Sequence, residues 1–174
     1  MATLYIFCGI PFSGKTVLTK ELASRLGYTR IDLDEVKEEL FGQDVADAEI
    51  DASGWDTVYA KMYGQIARAL RNGQTVIHDT GNFTRFERAK VREIAEKLGA
   101  AVLTVFVDTP APVASRRLMA NRQTPSRFDV TDEDFASSVE EMEPPDHSEP
   151  HIIFKDGENL SEWIQAHFTN KMVR

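Results

Sequence analysis

Gly9, Gly14, Lys15 and Thr16 stand at the spacing G-x-x-x-x-G-K-[ST], the pattern of a phosphate-binding loop (P-loop, or Walker A). The two glycines let the backbone turn tightly with no Cβ in the way, so successive N–H groups converge on phosphate oxygens. Lys15 brings a compact positive charge to the β- and γ-phosphates, and the Thr16 hydroxyl can ligate Mg²⁺. An apolar run before the motif (Leu4, Ile6 and Cys8, with Tyr5 and Phe7 between) predicts a buried strand. The residues after it predict a helix over 15–26 whose positive end faces the anion. Gly9, Pro11, Phe12, Ser13, Gly14, Lys15, Thr16 and Val17 are therefore the expected contacts of ATP, with Mg²⁺ beside it.

A bound triphosphate reacts only when an oxygen attacks it, either from water or from a substrate hydroxyl. Asp79 ends an apolar run and is followed by Thr80, not by the glutamate that activates water in motor-type ATPases. The guanine-reading pattern Asn-Lys-x-Asp is missing, since Asn170-Lys171 continues into Met172-Val173. A kinase needs a cover that excludes water and carries positive charge to the transferring phosphoryl group. Residues 112–135, with Arg116, Arg117, Arg122 and Arg127, have that composition, and arginine's fork suits phosphate oxygens. The competing reading is a solvated face in which these arginines pair with Asp129, Asp132, Glu133 and Asp134. Asp34 is the expected general base, with Asp32 as runner-up. A plain helix N-cap is the alternative role for Asp34. Asp79 reads as a partner of Mg²⁺ near Thr16 or as an acceptor-binding carboxylate. Asn82 and Arg85, with Thr80 and Arg88 nearby, could line the acceptor site, although Arg88 could equally be a surface helix charge. His78 lies within an apolar strand and reads as a satisfied core histidine.

Strands over 3–8, 28–32, 74–79, 101–107 and 151–154 alternate with helices over 15–26, 33–40, 55–70, 85–98, 111–121, 131–142 and 160–168. Residues 42–53 read as a loop. This alternation predicts an α/β fold of three layers, α/β/α, with a five-stranded parallel sheet and an arginine-bearing helical lid over about 112–135. In such sheets ligands bind beyond the carboxyl ends of the strands, where Lys15, Asp34, Asp79 and Asp108 all fall.

The length of 174 residues suits one domain over 1–174. A net charge of −8 argues against a broad grip on double-stranded nucleic acid, which needs surplus lysine and arginine. The lone cysteine, Cys8, suits a reducing compartment and reads as a small buried hydrophobe. The N-terminal apolar run is too short to span a bilayer, so the expected location is cytoplasmic.

Together these segments resemble the P-loop kinase group that includes the bacteriophage polynucleotide 5′-kinase domain, zeta toxins and chloramphenicol phosphotransferase. The resemblance runs over roughly residues 3–154. It rests on Gly9 to Thr16, on Asp32-Leu33-Asp34-Glu35-Val36-Lys37, on Val76-Ile77-His78-Asp79-Thr80-Gly81-Asn82, and on Asn121-Arg122 with Arg127. It implies Asp34 as general base, Asp79 as a carboxylate for acceptor or metal-bound water, and Arg122 and Arg127 as lid arginines. Lys37 stands where the group usually has an acceptor-contacting arginine, a departure that removes the bidentate fork. Glu143-Pro144-Pro145 looks like a recurring element after the lid. The implied activity is transfer of the γ-phosphoryl of ATP to a hydroxyl of a small molecule or of a nucleic-acid 5′-end. A nucleotide-binding ATPase or regulatory module without a phosphorylated product is the alternative.

Overall fold

The computed structural model describes residues 2–43, 45–126 and 129–169. Five strands, β1 (Thr3–Cys8), β2 (Thr29–Asp32), β3 (Val76–Asp79), β4 (Ala101–Asp108) and β5 (His151–Lys155), form one all-parallel sheet in the order β2-β3-β1-β4-β5. Helices α1 (Lys15–Leu26), α2 (Leu33–Phe41), α3 (Ala52–Arg71), α4 (Arg85–Lys97), α5 (Ala111–Gln123), α6 (Asp132–Glu141) and α7 (Leu160–Ile164) connect or follow them. The expected fold class, strand number and parallel pairing are those observed.

Side chains along β1 alternate between two cores, as the pleat requires. Leu4 and Ile6 join Val36 of α2, Val58, Met62 and Ile66 of α3, and Val91 and Ala95 of α4. Phe7 points the other way, to Leu18 and Leu22 of α1 and to Trp163 and Ile164 of α7. These two clusters make the three layers. A third cluster lies outside the sheet: Ile10 and Phe12 of the glycine loop pack on Ala114 and Leu118 of α5, with Phe135 and Val139 of α6 against them.

Three local readings are corrected. The N-cap of α2 is Asp32, whose carboxylate accepts from Glu35 N at 3.1 Å, so Asp34 lies within the first helical turn. Residues 42–53 are not wholly irregular: they hold a 3₁₀ turn at Asp47–Glu49, and Asp51 caps α3 by accepting from Gly54 N. Of the two roles open to Arg88, the surface helix charge is excluded, since the residue is 1 % exposed. Cys8 is buried, and burial pushes its thiol up to about 12, so it packs as an apolar side chain.

Candidate active site

The loop from Gly9 to Thr16 leaves β1 and enters α1 at the carboxyl edge of the sheet. Its backbone explains its residue types. Gly9 has φ +149°, and a Cβ there would lie 2.7 Å from the Val107 carbonyl oxygen of β4. Gly14 caps α1 at φ +101°. Phe12 adopts φ +60°, a left-handed conformation costly for an aromatic, and its side chain is held in the third cluster. Lys15 folds over the loop and donates to the carbonyls of Gly9 at 2.5 Å and Ile10 at 2.9 Å. Ser13 is buried, and its carbonyl accepts from Thr109 Oγ1 at 2.9 Å, which ties the loop to the end of β4.

Beside α1 the structure gathers two carboxylates. Asp32 and Asp79 are register partners at the ends of β2 and β3. Because Ile31 and His78 face the α3 side, Asp32 and Asp79 face α1. Asp79 Oδ2 accepts from Thr19 Oγ1 of α1 at 2.5 Å and from Arg30 Nε at 2.7 Å. Arg30 also pairs with Asp32 Oδ2, and with Glu35 at 2.6 Å. Burial, and then the neighbouring Asp79 carboxylate, push Asp32 up to about 6 against the pull of Arg30. Burial alone would loosen the proton on Arg30; Asp79 and Asp32 outweigh it and hold the guanidinium charged. Arg30 and Thr19 are missed by the sequence reading. The signal for Arg30 was its i, i+2 spacing from Asp32, which puts both on one strand face.

The remaining expected residues are distributed as follows. Asp34 is exposed in the first turn of α2. Lys37, one turn on, is buried and pairs with Asp47 at 2.7 Å. Asn82 is turned inward at φ +47°, and its Nδ2 donates to the Phe7 carbonyl at 2.7 Å. His78 Nδ1 lies 3.3 Å from that amide, while its Nε2 has no partner among the described residues, so this histidine is only half satisfied. Burial lowers its pKa to about 4.

Arg85 is exposed; its guanidinium meets Ser148 and, at 3.7 Å, Asp146, and its backbone N–H donates to Glu143 at 2.7 Å. The Glu143 N–H in turn donates to the Phe83 carbonyl at 2.9 Å. The Glu143-Pro144-Pro145 element thus has a physical role: it ties the segment after α6 to the start of α4. Below it, Arg88 donates to Glu149 through Nε at 2.8 Å and Nη2 at 3.1 Å, and to the carbonyls of Asn82 and Phe83 at 3.0 and 3.1 Å.

Of the arginines over 112–135, Arg127 lies outside the described residues. Arg122 is engaged within its own segment, by both oxygens of Asp129 at 3.0 and 3.2 Å, by Asp132 at 2.9 Å and by the Val130 carbonyl at 2.7 Å. Arg117 is the one seen on the phosphate loop: Nη1 donates to the carbonyls of Phe12 and Ser13 at 3.3 and 3.2 Å, and Nη2 to Asp156 at 2.5 Å.

Oxygen donors on the first turns of α1 and beside it suit a hard divalent cation held mainly by phosphate and water: Thr16 in the first turn, and Asp79 against Thr19 with Asp32 as its strand neighbour. Among the described residues no group of three or more His, Cys, Asp or Glu side chains could hold a metal alone. No helix among them is long and apolar enough to cross a membrane.

A glycine loop between the central strand and α1, in a sheet of order β2-β3-β1-β4-β5, defines a P-loop α/β protein. Residues 4–145 match the model of the AAA domain family AAA_33, and the chain belongs to that P-loop family. Among curated proteins it is similar to the shikimate kinase of Synechococcus elongatus, 26 % identical over 117 residues. That match covers 67 % of this chain and 58 % of the relative, so it spans less than two thirds of the relative's length. Two solved structures share the fold. Kti12 of Chaetomium thermophilum, in complex with ADP-AlF3, superposes with a TM-score of 0.78 at 17 % identity, over 98 % of this chain and 100 % of that one. The APS kinase CysC of Mycobacterium tuberculosis, in complex with AMPPNP and APS, gives 0.68 at 16 % identity, over 98 % of each chain.

Proposed function

We propose that this chain is an ATP-dependent kinase that transfers the γ-phosphoryl group to a hydroxyl of a small molecule. The observation that carries the reading is the phosphate loop facing two buried strand-end carboxylates across the first turns of α1, with the exposed Asp34 beside them. The chain would work as one kinase domain over residues 1–174, in the cytoplasm, with residues 112–135 as its lid. Backbone N–H groups of the loop hold the β- and γ-phosphates, and Lys15 exchanges its two carbonyl partners for phosphate oxygens. Mg²⁺ beside Thr16 and Asp79 would neutralise charge shared by those phosphates. Asp34 takes the proton of the acceptor hydroxyl as its oxygen bonds to the γ-phosphorus and the bond to the ADP oxygen breaks. Lys37, Asp79, Asn82 and Arg85 belong to the acceptor side, Asn82 by fixing its loop. Arg122 and Arg127 close over the transferring group. Asp129 and Asp132 on Arg122 are largely exposed, at 56 % and 77 %, so they hold it weakly and can yield it to phosphate.

The test is ATP turnover against a panel of metabolite hydroxyls and a 5′-hydroxyl oligonucleotide, with Asp34→Asn beside the native chain. The kinase reading expects acceptor-dependent turnover that Asp34→Asn abolishes while ADP affinity stays within about twofold. Native-rate transfer by that variant would remove Asp34 from the mechanism. A second reading, an ATPase or regulatory module, draws on the engagement of Arg122 within its own segment. Turnover indifferent to every acceptor favours it.

A further inference from the structure

Arg30 has no part in the chemistry above, yet each of its three guanidinium nitrogens is engaged beside α1 and the ends of β2 and β3. Its side chain is half-buried, against the buried Asp32 and Asp79. Nε is shared between Asp79 Oδ2 and Thr19 Oγ1, Nη2 goes to Asp32 Oδ2, and Nη1 goes to Glu35 at the protein surface. One planar fork therefore fixes the spacing of two carboxylates from different strands and ties both to α1. Without it, two like charges in a poorly solvated site would repel each other or capture a stray cation. With it, one guanidinium offsets part of the charge of the two carboxylates.

We propose that Arg30 is a positioning residue for the divalent cation: its guanidinium holds Asp32 and Asp79 side by side at α1 and offsets part of their charge, so that the cation is taken together with nucleotide and not before it. This rests on the kinase reading for the presence of the nucleotide and cation at this edge. A lysine could supply the charge but not the fork, and a glutamine neither.

Mn²⁺ serves as the probe, titrated by electron paramagnetic resonance into the native chain, Arg30→Gln and Arg30→Lys, each with and without ADP. The native chain should bind Mn²⁺ tightly only with ADP present. Arg30→Gln should bind Mn²⁺ without nucleotide, on the order of tenfold more tightly than the native chain, because the positive charge between the carboxylates is gone. Arg30→Lys should keep native Mn²⁺ affinity within about threefold while ATP turnover falls by about tenfold or more, because the carboxylates are no longer held by a fork. Equal Mn²⁺ affinity in the native chain and Arg30→Gln overturns the proposal, and so does native turnover in Arg30→Lys. If circular dichroism shows Arg30→Gln unfolded, the Arg30→Lys outcomes decide alone. Failure of the native chain to bind ADP or ATP in calorimetry counts against the kinase reading instead, and the nucleotide-free Mn²⁺ comparison still judges Arg30.

Discussion

Asp32 and Asp79 sit opposite each other at the ends of neighbouring parallel strands, and both carboxylates meet the guanidinium of Arg30. Far apart in the chain, they meet because parallel pairing aligns the two strand ends and the pleat turns both side chains to the same face. The paired carboxylates and the guanidinium between them are thus a property of the sheet, while Lys15 and Arg117 come from the helices on either side of the loop.

Lys15 donates to carbonyls of its own loop, bonds that phosphate oxygens can replace. Lys15→Met should therefore lower affinity for ATP by roughly tenfold to a hundredfold, the worth of a charged hydrogen bond. The folded state should lose about 1 kcal/mol or less. Isothermal calorimetry with ATP and urea unfolding of the same samples check both halves.

The buried His78 makes stability depend on pH. Burial lowers its pKa from 6.5 in the unfolded chain to about 4, so between those values the unfolded chain binds the extra proton. Its contribution is fully present above pH 6.5 and is lost as pH falls toward 4, amounting to about 3 kcal/mol across that window. His78→Leu should abolish this rise and leave the opposing trend of Asp32, whose raised pKa lowers stability as pH climbs from about 4 to about 6, measured by urea unfolding at half-unit pH steps. An unchanged slope in the variant would assign it to other groups.

Arg88 and Glu149 form a buried, doubly hydrogen-bonded ion pair that also caps the carbonyls of Asn82 and Phe83. Accepting from Arg88 and Thr104 holds the Glu149 carboxyl below the usual range although burial pulls it upward. Removing one partner strands the other: Glu149→Leu should cost roughly 3–5 kcal/mol. The double variant Arg88→Met with Glu149→Leu should regain much of that loss, as chemical denaturation of the two variants would reveal.

Phe12 sets burial against backbone strain at one residue. Phe12→Ala should destabilise by roughly 3–5 kcal/mol through the cavity it leaves among Ile10, Ala114 and Leu118. Phe12→Gly should be about 1 kcal/mol less damaging than the alanine variant, because glycine accepts the left-handed conformation without penalty. Thermal unfolding of the pair gives the difference directly.

Most of the fold was legible because its elements are local. Alternating apolar residues in β1, the helical spacing of Val58, Met62 and Ile66, and the glycine loop each announce themselves within a dozen residues. The site was legible only where a motif carried it. Asp79 could be located from the end of its strand, but its partners Thr19 and Arg30 come from α1 and β2, and no spacing along the chain joins the three. Arg88 stays open between the acceptor site and a surface charge in the sequence because its counter-ion, Glu149, is 61 residues away, beyond α5 and α6. Asp34 competes in the sequence for the cap that Asp32 makes, since two aspartates two residues apart both satisfy the helix-start pattern. Arg117 stood beside Arg116 with the same composition, and only the three-dimensional turn of α5 selects it.

Ile10 and Phe12 share one apolar cluster with α5 and α6. A phosphate-gripping loop anchored in this way cannot relax on its own: any rocking of the overlying helices tugs at two of its side chains, and any swelling of the loop pries at their roof. Arrival and departure of a nucleotide should accordingly be felt out to Val139 as a single mechanical event, through an oily hinge that works beside the polar latch of Arg117 on the Phe12 and Ser13 carbonyls.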